Sequence, residues 1–155
     1  MKAPRGMLRA FEPSDVEAVA DFWVAAWKST GLPIDFEARR AWLIGRLAEL
    51  YEEGAAILVG LDARGRAAGL VTVDPKSGYV DQLCVAPSER GGGLARALID
   101  EAKRRAPGVV DLNVNVANPR ARRFYQREGF LAVGLGVSPL SGLPMLHLQW
   151  RAEER

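Results

Sequence analysis

The run from Leu83 to Arg96, Leu-Cys-Val-Ala-Pro-Ser-Glu-Arg-Gly-Gly-Gly-Leu-Ala-Arg, constrains the fold more than any other stretch. It reads as an apolar strand, a short loop holding Arg90 and three glycines, and the start of a helix. Gly91, Gly92 and Gly93 put no side chains between the backbone and its surroundings, so bare N–H groups can face a ligand. The helix opens on Leu94, Ala95 and Arg96 with no capping side chain, so its first N–H groups still need acceptors. Those groups and the positive end of the helix dipole suit an anion. Arg90 adds a cation at the rim. An isolated triple glycine is ordinarily a flexible turn. Placed before an uncapped helix, it reads as a cradle for a pyrophosphate.

The rest of the chain alternates between two periodicities. Met7 to Ala10 reads as a first strand. Ser14 and Glu17 form a capping box for a helix with Val16, Val19, Ala20, Trp23 and Trp27 on its apolar face. Gly31-Leu-Pro33 breaks it. A second helix is expected over Phe36 to Glu53, with Gly54 as its stop. Ala55 to Leu61 and Ala67 to Val73 read as a hairpin about Asp62–Gly65, and Asp74–Gly78 turns into a third strand, Tyr79 to Val85. The glycine loop leads into a helix from Gly93 to Arg105. Val109 to Val116 is a buried strand. Asn118 caps a helix that Pro119 begins and Gly129 ends. Phe130 to Val137 and Met145 to Arg151 are strands around the loop Ser138–Pro144, and Ala152 to Arg155 is a polar tail. The order β-α-α-β-β-β-α-β-α-β-β predicts a mixed α/β fold with a twisted sheet of six or seven strands and about four helices. No repeat or linker divides residues 1–155, so one domain is expected.

Composition removes several classes of function. At 48% hydrophobic residues, disorder is excluded, and a net charge of +2 gives no electrostatic case for nucleic acid or a membrane surface. No apolar run reaches the length of a membrane span, and no signal-peptide apolar region follows Met-Lys-Ala-Pro-Arg-Gly. The single cysteine, Cys84, and single histidine, His147, leave no disulfide framework and no metal site. A cytoplasmic location is expected, and a homodimer is compatible with the sequence.

Three cofactor classes use a glycine loop before a helix. The nucleoside-triphosphate loop needs Lys-Ser/Thr after its last glycine, where this chain has Leu94-Ala95. The dinucleotide fingerprint needs a third small residue, where this chain has Arg96, and an N-terminal βαβ unit rather than a hairpin meander. Coenzyme A is the third. Arg90-Gly-Gly-Gly93-Leu-Ala95 fits the pattern Arg/Gln-x-x-Gly-x-Gly/Ala. Here the chain resembles the GNAT superfamily of acyl-CoA-dependent N-acetyltransferases. Leu83-Cys-Val85-Ala-Pro87 looks like that family's fourth strand. Asn118-Pro-Arg-Ala121-Arg-Arg-Phe124-Tyr125-Gln-Arg-Glu-Gly129-Phe130 looks like its second block. The likeness is strongest from Tyr79 to Phe130 and weak before residue 50.

The resemblance implies acetyl-CoA as co-substrate, with amides from Gly91 to Arg96 on its pyrophosphate and Arg90 in support. It implies the backbone of Leu83, Cys84 and Val85 beside the pantetheine arm, with Asn118, Ala121 and Phe124 approaching from the helix. It gives Tyr125 the role of general acid. A tyrosine on an amphipathic helix is ordinarily a core residue, but a departing thiolate needs a proton donor, which a phenol with pKa ~10 is at neutral pH. Asp81, normally a solvated strand residue, is the candidate base for an ammonium, directly or through water. Asn113 is a candidate for the acyl carbonyl and Asn115 for the cofactor. A backbone N–H of the Leu83–Val85 strand is a candidate oxyanion donor. Cys84 has no neighbouring base that would make it a nucleophile. His147 reads as a structural strand residue that can also sit in an acceptor pocket, and Trp27 is the tryptophan placed to line one. The expected reaction is direct attack of a primary amine on acetyl-CoA in a ternary complex. A non-catalytic acyl-CoA sensor and a dinucleotide-binding redox protein are the alternatives.

Overall fold

The longest buried runs, Ile57 to Gly60 and Ala68 to Val73, are apolar on both faces apart from Thr72, as strands covered on both faces must be. In the computed structural model, which describes residues 7–153, they form β2 (Ala56–Leu61) and β3 (Ala67–Val73) at the centre of a four-stranded antiparallel sheet. β1 (Leu8–Ala10) and β4 (Leu83–Val85) are its edges. Helices α1 (Val16–Lys28) and α2 (Arg40–Glu52) cover one face through Val19, Leu43 and Leu47, which meet Val59 and Leu70. Helix α3 (Leu94–Arg105) covers the other. Its Leu98 and Ile99 are fully buried, each contributing about 1.5–3 kcal/mol of hydrophobic stabilisation. A second sheet follows in the order β5 (Val109–Asn115), β7 (Pro144–Arg151), β6 (Leu131–Val137), with α4 (Pro119–Arg127) between β5 and β6 in sequence.

Among the described residues, seven strands, four α-helices and their order agree with the sequence reading. Four local features differ. The strands form two sheets rather than one, joined by a single parallel bridge between Tyr79 and Asp111. The expected strand Tyr79–Val85 is interrupted, and only Leu83–Val85 pairs with β3. The helical capping pair is Glu12 and Asp15 rather than Ser14 and Glu17. Pro13 begins a 3-10 turn one residue earlier, and the Asp15 carboxylate accepts the Glu12 N–H at 2.8 Å. The second helix starts at Arg40, because Asp35 accepts the Ala38 N–H (3.1 Å) and holds residues 36–39 as a turn. The N-terminal reading over residues 1–6, and the last two residues of the expected polar tail, lie outside the described residues.

The interruption before β4 opens the site. The Asp74 N–H donates to Tyr79 O and the Thr72 N–H to Gln82 O, both at 2.9 Å, so Val80 and Asp81 together lie opposite Val73 alone. That extra residue is a bulge. The buried Thr72 hydroxyl fills its gap by accepting the Gln82 N–H at 3.0 Å. Val80 and Asp111 are still bonded (Val80 N–H to Asp111 O, 2.8 Å). Beyond the bulge, β4 follows β3 and leaves β5. Two strands that begin side by side therefore diverge, and a cleft opens between them.

Candidate active site

The cleft has a volume of about 960 Å³ and is lined by the glycine loop, β4, β5 and the end of α1 at Ala26, Trp27, Ser29 and Thr30. Its walls are backbone on one side and α4 on the other. Along β4, register and bonding alternate. The Ala86 N–H donates to Ala68 O (2.7 Å) and the Thr72 N–H to Gln82 O, so the Cys84 N–H and C=O turn toward Leu70. The same alternation turns those of Leu83 and Val85 into the cleft. Of the three β4 residues named from sequence, Leu83 and Val85 thus offer a free peptide edge, while the Cys84 backbone belongs to the sheet. Burial pushes the Cys84 thiol up to about 12, which suits a packing residue and not a nucleophile.

The glycine loop has the expected form. Gly91 and Gly93 take φ of +78° and +86°, and a Cβ on either would meet nothing within 4 Å. That space is left open, as a bound anion requires. The Gly91, Gly93, Leu94, Ala95 and Arg96 N–H groups donate to no acceptor among the described residues, whereas the Gly92 N–H is taken by Glu89 O at 3.2 Å. Arg90 lines the cleft but turns its guanidinium to the end of α1, on Ser29 Oγ and Ala26 O. Burial, then the Arg120 guanidinium, lower its pKa. Arg96 pairs with Glu128 at 3.6 Å. The cations that sequence reasoning missed are Arg120, Arg123 and Arg127, which also line the cleft. Their spacing of three and four residues on a helix was the available signal.

Asn118 caps α4, its Oδ1 accepting the Ala121 N–H at 3.3 Å, and Asn118, Ala121, Phe124 and Tyr125 all line the cleft. Tyr125 is 8% exposed, edge-on to Phe130 at 5.4 Å, and its hydroxyl makes no hydrogen bond to any described residue. Burial, then the nearby Cys84, push its pKa well above the ordinary phenol range.

The opposite mouth is polar. Asp81 lines it, but Arg46 holds Oδ1 (Nη2 2.8 Å, Nε 3.2 Å) and Gln82 Nε2 holds Oδ2 (3.0 Å). That pairing raises the Arg46 pKa. Three donors already occupy most of the acceptor sites on its two oxygens, which weakens the case for Asp81 as a base. Gln82 also accepts from Trp23 Nε1 at 3.0 Å. Asn113 lines the cleft and donates to Tyr79 Oη at 3.1 Å. Asn115 is 6% exposed and is not among the lining residues, so the structure does not bring it to the site. Trp27 lines the cleft and stacks on Phe36 at 5.5 Å. Among the described residues no group of three or more His, Cys, Asp or Glu could hold a metal, and no helix is long and apolar enough to cross a membrane.

An antiparallel sheet splayed from its neighbour by a bulge, with an open-amide glycine loop at one end, forms an extended cleft with a free strand edge along one wall. The comparisons agree. The acetyltransferase (GNAT) domain family matches residues 43–149. This chain belongs to the GNAT acetyltransferase family. It is 34% identical over 126 residues to a mycothiol acetyltransferase of Clavibacter sepedonicus, covering 76% of this chain and 41% of that protein, so it spans about two-fifths of that relative's length. It is 31% identical over 80 residues to the Escherichia coli peptidyl-lysine N-acetyltransferase YjaB, 52% of each chain. The solution structure of apo YjaB matches with a TM-score of 0.74 at 25% identity, over 95% of this chain and 98% of that one. A PaiA N-acetyltransferase of Thermoplasma acidophilum in complex with coenzyme A matches in fold, with a TM-score of 0.75 at 15% identity, over 94% and 98%.

Proposed function

We propose that this protein transfers the acetyl group of acetyl-CoA to a primary amine by direct attack in a ternary complex. The observation that carries the reading is the unpaired Tyr125 hydroxyl in the wall of a cleft that ends on the open amides of Gly91, Gly93 and Leu94 to Arg96. The cofactor supplies the activated acyl group. The loop amides, with Arg120, Arg123 and Arg127, hold its phosphates. The Leu83 and Val85 peptides pair with the amides of its pantetheine arm as an added strand does. An N–H of the same edge faces the carbonyl oxygen as it gains charge. A phenol is protonated at neutral pH, so Tyr125 can hydrogen-bond the leaving sulfur. It passes on a proton that the amine nitrogen replaces.

Arg46 and Asp81 shape the acceptor mouth, and the tryptophan-lined end near Trp27 gives it apolar walls. Among the relatives, one is named a mycothiol acetyltransferase and another a peptidyl-lysine N-acetyltransferase, and the second name supports an amine acceptor. The single cysteine goes with a cytoplasmic setting. The homodimer is a further part of this reading. β6 carries no charge or proline and exposes Leu131, Val133, Leu135 and Val137, and antiparallel pairing about Gly134 sets Leu131 on Val137 of a second copy.

Free CoA release from acetyl-CoA tests the reaction with a panel of small amines, polyamines and lysine peptides. Release with at least one amine is expected. Acetyl-CoA binding with no release across the panel would make the protein a sensor. NADH binding without acetyl-CoA binding would overturn the proposal.

A further inference from the structure

We infer that His147, held by Asp111, is the group that takes the proton from the attacking ammonium; this rests on the acetyl-transfer reading. Strand alternation puts Val110, Leu112 and Val114 on the face that meets α3 and Tyr125. Asp111 and Asn113 lie on the opposite face with their cross-strand partners Gln149 and His147. The phenol therefore reaches the cleft from one side of the sheet and Asn113 from the other, with His147 and Asp111 standing behind Asn113 outside the cleft wall. A reaction that loses a proton from nitrogen and delivers one to sulfur needs this separation.

The cluster fixes the state of the imidazole. Asp111 Oδ1 accepts from Gln149 Nε2 and contacts His147 Nε2, each at 2.9 Å. A carboxylate has no proton to give, so Nε2 carries the hydrogen and the lone pair of neutral His147 sits on Nδ1. Nδ1 has no partner among the described residues, and the side chain is 39% exposed. His147 pairs directly with Asn113, which lines the cleft. Burial opposes the Asp111 charge, but hydrogen bonds from His147 and Gln149 outweigh it and hold Asp111 below the ordinary carboxylate range.

The other groups on this face are already engaged or uncharged. Asp81 is filled by Arg46 and Gln82, and Tyr79 by Asn113. Arg151 lies near Asp111. Arg39 is bonded to Leu140 O on the β6–β7 loop, and Leu131 to Val137 carry no charge.

The step balances. An N–H bond of the ammonium breaks and its proton passes, through solvent beside Asn113, to Nδ1. Asp111 stabilises the imidazolium. The nitrogen lone pair forms the C–N bond, the C–S bond breaks, and a second nitrogen proton reaches sulfur by way of Tyr125. His147 then returns its proton to solvent.

The test is the pH profile of kcat/KM for the best amine in wild type, His147→Gln and Asp111→Asn, with acetyl-CoA affinity measured alongside. Loss of a general base predicts a fall of ~10²-fold in His147→Gln at neutral pH and recovery as pH approaches the amine's own pKa of ~10.4. Acetyl-CoA affinity is expected to stay unchanged. Asp111→Asn is expected to fall less and to shift the acidic limb. His147 is the single histidine, so its NMR tautomer is read in the folded wild type without assignment. An Nδ1-protonated ring would overturn the inference even if the variants fail to fold. An unchanged profile in a folded His147→Gln enzyme would sink the inference and leave acetyl transfer standing. A wild type that releases no CoA would sink both.

Discussion

The two mouths of the cleft are built from different materials. The donor mouth is mostly backbone: loop amides from Gly91 to Arg96, the open edge of Leu83 and Val85, and a helix start. The acceptor mouth is made of side chains from separate elements: Arg46 on α2, Asp81 before β4, Asn113 on β5 and Trp27 on α1. A backbone site suits a ligand whose form never varies, because peptide geometry is fixed by the fold. A side-chain site can be altered one residue at a time without disturbing the donor. The halves meet at the bridge of Tyr79 and Asp111, where the sheets part.

The strongest way to break this separation is at that junction. A Cβ at Gly78 would lie 1.8 Å from Val109 O, at a φ of +81°. Gly78→Ala should cost about 3 kcal/mol or more and impair both mouths together. Denaturant melts, with binding of both substrates, check this. Gly93→Ala differs in kind. It strains a φ of +86° but meets no atom, so about 1 kcal/mol of stability is lost. Its methyl fills the space kept for the anion, and coenzyme A affinity should fall about ten-fold, the equivalent of roughly 1.4 kcal/mol. The amine KM should stay put, as calorimetry and steady-state kinetics would read. Asp81→Asn should do the reverse. Amine KM should rise about three- to five-fold, the size of a partly exposed ion pair, with coenzyme A affinity unchanged.

Stability against pH separates the halves by sign. The folded pKa of Tyr125 is raised, so its contribution is complete below the unfolded value of ~10 and is lost as pH rises beyond it. That of Asp111 is lowered, so its contribution is present above ~3.9 and is lost as pH falls. Melting temperatures of wild type and Tyr125→Phe should run together through neutral pH and diverge in alkali, where only the wild type falls.

The geometry of the glycine-loop end of the cleft was far more legible in the sequence than that of its polar end, and the reason is physical. Gly91 to Gly93 and the uncapped start at Leu94 act through local backbone, and local backbone is written in consecutive residues. Tyr125 was legible only through the resemblance of the Asn118–Phe130 block to its family, because helix register alone reads it as a core residue. The polar end depends on Arg46 reaching Asp81 across 35 positions, and the proposed base on His147 meeting Asp111 across 36. No spacing rule encodes such contacts. The bulge at Val80 and Asp81 was hidden for a related reason. It depends on the buried Thr72 hydroxyl taking the Gln82 N–H, so a strand expected to run unbroken from Tyr79 divides.

The central claim is that the donor mouth binds acetyl-CoA and that Tyr125 assists its departing sulfur. Turnover and acetyl-CoA affinity measured side by side in Tyr125→Phe test it most directly. The account predicts turnover lowered by at least ~10²-fold with affinity nearly unchanged. Undiminished turnover in a folded Tyr125→Phe protein would contradict it.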